Sequence, residues 1–226
     1  MPMKIISLAI LLLMLTASAN PASGQNTERS MFTLDDQVWV LFYDLPSRRF
    51  RAIRDAFIGG RIDDARRDLE ASEAFLRAEI SRAIPVLVPP MTEVADRLQT
   101  LAQQINAPET TVRDLDPVFA RAHWLLAQHY LTLATEARDS GRHKSAGNYL
   151  WATAHHMERA VLWSDMRIDS SLLKSLEGMR TMADQLRTSD QPERVYKDKP
   201  IDNARRTLFE LGKYLDRKVW VQPVRM

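Results

Sequence analysis

Apolar residues recur at intervals of three and four along almost the whole chain, and this spacing predicts one helix after another. Leu34, Val38, Leu41 and Leu45 make the first stripe, with Trp39 and Phe42 beside it, and Pro46 is expected to break that segment. Ser47 can then cap a second helix through Phe50, Ile53, Phe57 and Ile58, closed by Gly59-Gly60. Ile62, Ala65, Leu69, Ser72, Leu76 and Ile80 carry a long amphipathic helix to about Arg82. Pro85, Pro89 and Pro90 interrupt it, and the residues between them are expected to be extended or kinked.

The pattern resumes with Val94, Leu98, Leu101 and Ile105, ended by Asn106-Ala107-Pro108. Asp116-Pro117 reads as a helix start, an acid at the cap with proline at the first helical position. Phe119, Ala122, Leu126, His129, Leu133 and Ala137 line one face of that helix as far as Gly141. Ala146, Leu150, Thr153, Met157 and Val161 line the next, and Asp169 or Ser170 caps another through Leu173, Leu176, Met179 and Leu186. A polar connector, Thr188 to Pro200, leads to a last helix with Ile201, Ala204, Leu208, Leu211 and Leu215. Only Val219-Trp220-Val221 reads as a strand, and it is short. The expected fold is all-α: a bundle of antiparallel helical hairpins, more than half helical, with one domain over residues 25–226. The 188–200 connector is the one minor boundary.

The first two dozen residues read differently. Lys4 and the amino terminus make a positive start, and Ile5 to Leu15 follow as an almost wholly apolar run. Small residues come next, Ala17-Ser18-Ala19 before Asn20 and Ala22-Ser23-Gly24 before Gln25. This is the three-part layout of a cleaved secretory signal peptide, residues 1–24. As a helix the apolar run would span only ~16 Å, about half a bilayer core, so a permanent anchor is the weaker reading. No cysteine is present for lipid attachment. The mature chain is expected to be soluble, with no stable membrane insertion, and periplasmic or secreted.

Composition narrows the function. With no cysteine in 226 residues, disulfide scaffolds, thiolate metal sites and cysteine nucleophiles are excluded. Of the 31 basic residues 24 are arginine, so the high isoelectric point reflects guanidinium pKa more than excess charge. Arg48, Arg49, Arg51 and Arg54 form the densest basic patch, and Asp44 and Asp55 flank it. That is not the footprint of a nucleic-acid binder. No GxGxxG, GxxxxGK[ST], GxSxG or HExxH occurs. Acid pairs such as Asp35-Asp36 and Asp63-Asp64 fall where helices begin and offset the dipole. No catalytic residue is assigned, and a non-enzymatic role is expected.

Two segments share a spacing. Ala56, Gly60, Arg61, Ala65 and Leu69 recur as Ala137, Gly141, Arg142, Ala146 and Leu150. Glycine ends one helix, alanine lets two backbones approach, and leucine fills the seam. With Tyr130, Leu133 and Ala134 ahead of the second copy, this resembles the inner part of a tetratricopeptide (TPR) hairpin. The copies are 81 residues apart, and Arg77 and Glu158 stand where that repeat has proline, so two TPR-like hairpins are implied and not a tandem array. Following a signal peptide, the same hairpins are also similar to YfdX-type exported helical proteins of bacteria. That resemblance implies a periplasmic, non-catalytic role in stress or interaction and no cofactor.

The candidate binding residues lie on the central hairpin, residues 117–164. Trp124, Tyr130, Tyr149 and Trp151, with Arg121 and Arg159, could line a groove for a protein or peptide partner. The alternative reading uses the histidines. If the helices flanking Gly141 run antiparallel, His129 falls near Ala154 and His155, and His123 near Ala160. His129 with His155 or His156 could then offer two imidazoles to a metal or haem, with Met157 or Glu158 as a third ligand.

Overall fold

The structure is a computed structural model and describes residues 42–189 and 198–219. The expected signal peptide, the Leu34–Leu41 stripe, the middle of the 188–200 connector and Trp220-Val221 lie outside the described residues. Within them the fold is all-α. Seven helices hold 82% of the residues and no strand is present among them. They are α1 (Leu45–Ile58), α2 (Ile62–Ile80), α3 (Val88–Gln104), α4 (Val112–Asp139), α5 (His143–Trp163), α6 (Ser170–Thr188) and α7 (Asp198–Val219).

Sequence neighbours pack as antiparallel pairs, and the 28-residue α4 is the shared axis. It packs against α1 and α3 on one side and α5 and α7 on the other. The result is two four-helix rings with a common member, α1-α2-α3-α4 and α4-α5-α6-α7. A helix serving two rings must be apolar nearly all round. Accordingly Leu115, Phe119, Ala122, Leu125, Leu126, Tyr130, Leu131, Ala134 and Ala137 are all buried. The single stripe expected for this helix is therefore too narrow, and Leu133, placed in it, is only half-buried.

The repeated spacing has a structural counterpart. Gly60 and Gly141 both take φ of 70°, and Arg61 and Arg142 follow with closely matching dihedrals. In each turn the arginine N–H donates back to an alanine carbonyl, Arg61 to Ala56 and Arg142 to Ala137, both at 2.8 Å. The arginine N–H thus reaches five residues back and the glycine N–H three, Gly60 to Phe57 and Gly141 to Arg138. These are Schellman closures, which need a left-handed residue that glycine supplies without strain. Ala65 and Ala146, the first buried residues of the following helices, have no exposed surface.

Three expected boundaries are corrected, all at prolines. Pro46 occupies the first turn of α1, so Ser47 lies inside that helix and is buried instead of capping it. Pro89 and Pro90 open α3 in the same way; residues 81–87 ahead of them form turns, so the expected interruption is present but ends at Val88. In its first turn a helix has no use for the N–H that proline lacks. Asp116-Pro117 does not begin α4: the helix starts earlier, at Val112, and runs through Pro117. A capping box displaces the expected start, since the Thr111 N–H donates to Asp114 Oδ2 at 2.8 Å. The expected cap of α6 is present, with Asp169 accepting from the Leu172 N–H at 2.8 Å.

Candidate functional site

Two features stand apart from ordinary core, one on each flank of α4. The first is a buried polar joint where α1, α2, α4 and α5 meet. His123 and His129 on α4, His156 on α5 and Glu79 on α2 have no exposed surface. The Nδ1 atoms of His123 and His156 are 2.8 Å apart, so one ring donates and the other accepts. Phe50 stands edge-on to His123 at 5.1 Å between centroids, and Tyr130 lies parallel to His156 at 5.3 Å. His155, next along α5, has Nε2 2.6 Å from Ser47 Oγ and meets the edge of Tyr43. Glu79 Oε2 accepts from the Tyr130 hydroxyl at 3.4 Å and lies 3.3 Å from His129 Nε2.

Burial controls the titration of these rings. It holds His123 and His156 well below the ordinary imidazole range; repulsion from His155 and Arg159 pushes His123 the same way, and repulsion from the other buried histidines does so for His156. His155 is lowered to about 4, again mainly by burial, with Arg159 adding to the effect while Asp44 and Glu158 oppose it.

The second feature is an open groove on the opposite flank of α4, about 640 Å3 in volume. Its floor is Leu131 and Gln128, and one wall is the loop leading into α3 through Ile84, Val86 and Leu87. The other wall is α7 through Leu208 and Phe209. Val86 and Phe209 are 72% and 60% exposed, large apolar side chains standing at either lip. The hydroxyls of Thr132 and Thr135 bond within their own helix, to the carbonyls of Gln128 and Leu131. The Gln128 amide nitrogen is buried and has no hydrogen-bond partner among the described residues.

The candidate residues divide between these places. Trp124 lines the groove, with its indole N–H donating to the Leu208 carbonyl at 2.7 Å. Arg121 lies over the Trp124 ring at 4.2 Å and pairs with Asp216 at 2.6 Å, so it clamps α7 to α4. Tyr130 and Tyr149 are not groove residues: both are buried, 6.2 Å apart and parallel. Trp151 belongs to the far side of α5, where its N–H donates to the Tyr43 hydroxyl at 3.1 Å and Arg187 covers its ring. Arg159 is half-buried beside the polar joint, and its Nε has no hydrogen-bond partner among the described residues.

The histidine placement also differs from expectation. His129 faces Glu79 on α2 and not the His155-His156 pair, while His156 meets His123. Against the expected neighbour Ala160, His123 contacts a residue one helical turn away, about 5.4 Å, a distance an imidazole ring can bridge. The two adjacent histidines point apart, His156 into the α4 seam and His155 toward α1. Among the described residues no group of three or more His, Cys, Asp and Glu side chains converges to hold a metal ion. No described helix is long and apolar enough to cross a membrane.

Sequence reading missed Glu79, taking Ile80 as the end of the α2 stripe. The signal was present: Ala65, Leu69, Ser72, Leu76 and Glu79 alternate steps of four and three, and all five are buried. Phe209 and Val86 carried no signal, since isolated apolar residues on polar faces are ordinary. No protein-family model, curated protein or solved structure matches this chain.

Proposed function

We propose that this chain is an exported, non-catalytic interaction protein that binds a short amphipathic helix of another protein in the groove over α4. The observation that carries this reading is the groove itself, an apolar channel with Phe209 and Val86 held largely in solvent at its lips. Contiguous exposed apolar surface of this kind marks interaction sites. The chemistry of the floor selects a helix. An extended peptide would bury a row of backbone N–H and C=O groups against Leu131, Leu208 and Trp124, with the Gln128 amide able to meet one carbonyl and the rest left unpaired. A helix satisfies its own backbone and presents an apolar stripe, the helix-in-groove mode. From Trp124 to Glu136 the floor runs ~18 Å, about three turns of helix. The TPR-like hairpins and the signal-peptide layout support the same role in the periplasm or outside the cell.

The test uses Val86→Glu together with Phe209→Glu, at positions exposed enough to leave the fold intact. Proteins retained by the wild-type chain from an envelope extract, and lost with the double variant, should contain an amphipathic segment. Made as a synthetic peptide, that segment should bind the wild type, gain helicity and fail to bind the variant. Recovery of the same proteins by both forms, or no binding by any such peptide, would overturn the reading. A mature protein beginning at Asn20 or Gln25 in the periplasmic or secreted fraction is expected, and a full-length cytosolic product would refute export.

A further inference from the structure

The buried polar joint has a property the groove does not need: its charge state and the seating of α1 exclude one another. The His123–His156 contact tolerates at most one N–H between the two Nδ1 atoms, since two would point at each other across 2.8 Å. The outer nitrogens, Nε2 of both rings, have no hydrogen-bond partner among the described residues. A proton added to either ring therefore creates a buried cationic N–H for which, among the described residues, the Tyr43 backbone beside His156 is the one neighbour that offers a hydrogen bond.

The surroundings offer little relief. From α2 comes Glu79, whose Oε2 accepts from the Tyr130 hydroxyl and faces His129, and whose Oε1 has no hydrogen-bond partner among the described residues. From α5 come the cation of Arg159 and the carboxylate of Glu158, the latter paired with Arg180 of α6 at 2.9 Å. Beyond the start of α1, Asp44 favours charge on His155, and the Tyr43 backbone is the one neighbour that favours it on His156. Arg159 and the other histidines all oppose it.

Water can reach the pair most cheaply by moving α1. At 14 residues it is the shortest helix described, and it covers the joint with Ser47 against His155 and Phe50 against His123. It ends at Gly59-Gly60, a turn able to act as a hinge. By contrast α4 is held in both rings and α5 lies between α4 and α6.

We propose that the joint is an acid-operated latch: proton uptake by His123 and His156 releases α1 from α4 and α5, uncovering the apolar face of Phe50, Ile53 and Phe119, while the other ring stays folded. Each linked proton multiplies the opening equilibrium about tenfold per pH unit, so the pair gives up to about a hundredfold per unit below the ordinary histidine range.

Hydrogen exchange of the full chain between pH 7.5 and 5, corrected for intrinsic rates, tests this. Amides of α1 should lose protection with that steep slope while those of α6 keep theirs. The His123→Phe/His156→Phe variant should open with a slope of no more than about tenfold per unit, the share left to His155. Should that variant not fold, histidine carbon shifts in the wild type decide. Rings 123 and 156 should titrate together and in step with α1 opening. A pH-independent α1, a slope unchanged in the variant, simultaneous opening of all helices, or titration of the rings with α1 still protected would each refute the latch.

Discussion

Gly147 marks a close approach of α5 to α6, and replacing it with alanine separates packing from helix propensity. A Cβ built there would lie 2.7 Å from the Ala183 carbonyl oxygen, 2.9 Å from Arg187 Cγ and 3.2 Å from Leu186 Cβ. Non-bonded heavy atoms prefer about 3.5–4.0 Å, so the helices must part or bend by several tenths of an ångström. Backbone cannot rotate out of the way as the tip of a side chain can. Overpacking of this kind costs about 1–3 kcal/mol, against a gain of about 1 kcal/mol for alanine over glycine inside a helix. The expected outcome is a net loss of up to about 2 kcal/mol, a fall in Tm of up to about 8 °C for a chain of this size.

Gly178 on α6 supplies the internal contrast. Its nearest neighbour would be Pro200 Cβ at 3.9 Å, an ordinary contact. Gly178→Ala should therefore keep the propensity gain and raise Tm by about 2–4 °C. Thermal or urea denaturation of the two variants beside the wild type reads the difference directly. If Gly147→Ala stabilised the chain as much as Gly178→Ala, the close approach of α5 and α6 would be refuted.

Further outcomes follow from the same contacts. Glu79→Ala should cost about 1–3 kcal/mol, because it leaves the buried Tyr130 hydroxyl without its acceptor, whereas Glu79→Gln should cost less by keeping one; urea midpoints give both. Asp169→Ala removes the α6 cap and should cost about 1 kcal/mol, seen as earlier exchange of the Leu172 and Leu173 amides. His155 has a folded pKa of about 4 against 6.5 unfolded, so its neutral-form contribution is intact above pH 6.5 and is lost as pH falls toward 4. The loss reaches about 3 kcal/mol, and His155→Gln should flatten the stability–pH curve by one proton over that range.

The helices were legible because a period of 3.6 in apolar positions survives any tertiary arrangement, and the two glycine turns because only a left-handed residue closes them in this way. What was not legible followed from what a single stripe cannot encode. α4 was read with one buried face, but a helix shared by two rings has several, and residues such as Leu125 and Leu131 lie off the stripe yet are buried. The prolines misled because a residue that interrupts one helix is equally at home in the first turn of the next, where its missing N–H is not needed. Among candidate site residues, Trp124 sits where a ligand could reach it, while Tyr130 and Tyr149 were drawn into the core by the same aromatic bulk that made them candidates. His129 found Glu79 because α2, distant in sequence, crosses the face on which only α5 had been considered.

The two flanks of α4 explain why the groove is more than a packing defect. Cylinders of equal width, with axes 8–10 Å apart, fit about six around a central one, so four neighbours leave two places to fill. Between α1 and α5 the place is closed by side chains that reach across: Ser47 to His155, and Tyr43 to both His155 and Trp151. Between the loop into α3 and α7 no such bridge is present among the described residues; the walls carry Val86 and Phe209 outward instead. Closing that flank from within would have needed long side chains at Thr132 or Gly212. The chain carries small ones, and Gly212 admits the Trp124 ring so closely that a Cβ there would lie 2.5 Å from it. The side that could have been sealed by bulk is built from residues that keep α7 low and the floor clear, the arrangement that accommodates one additional helix.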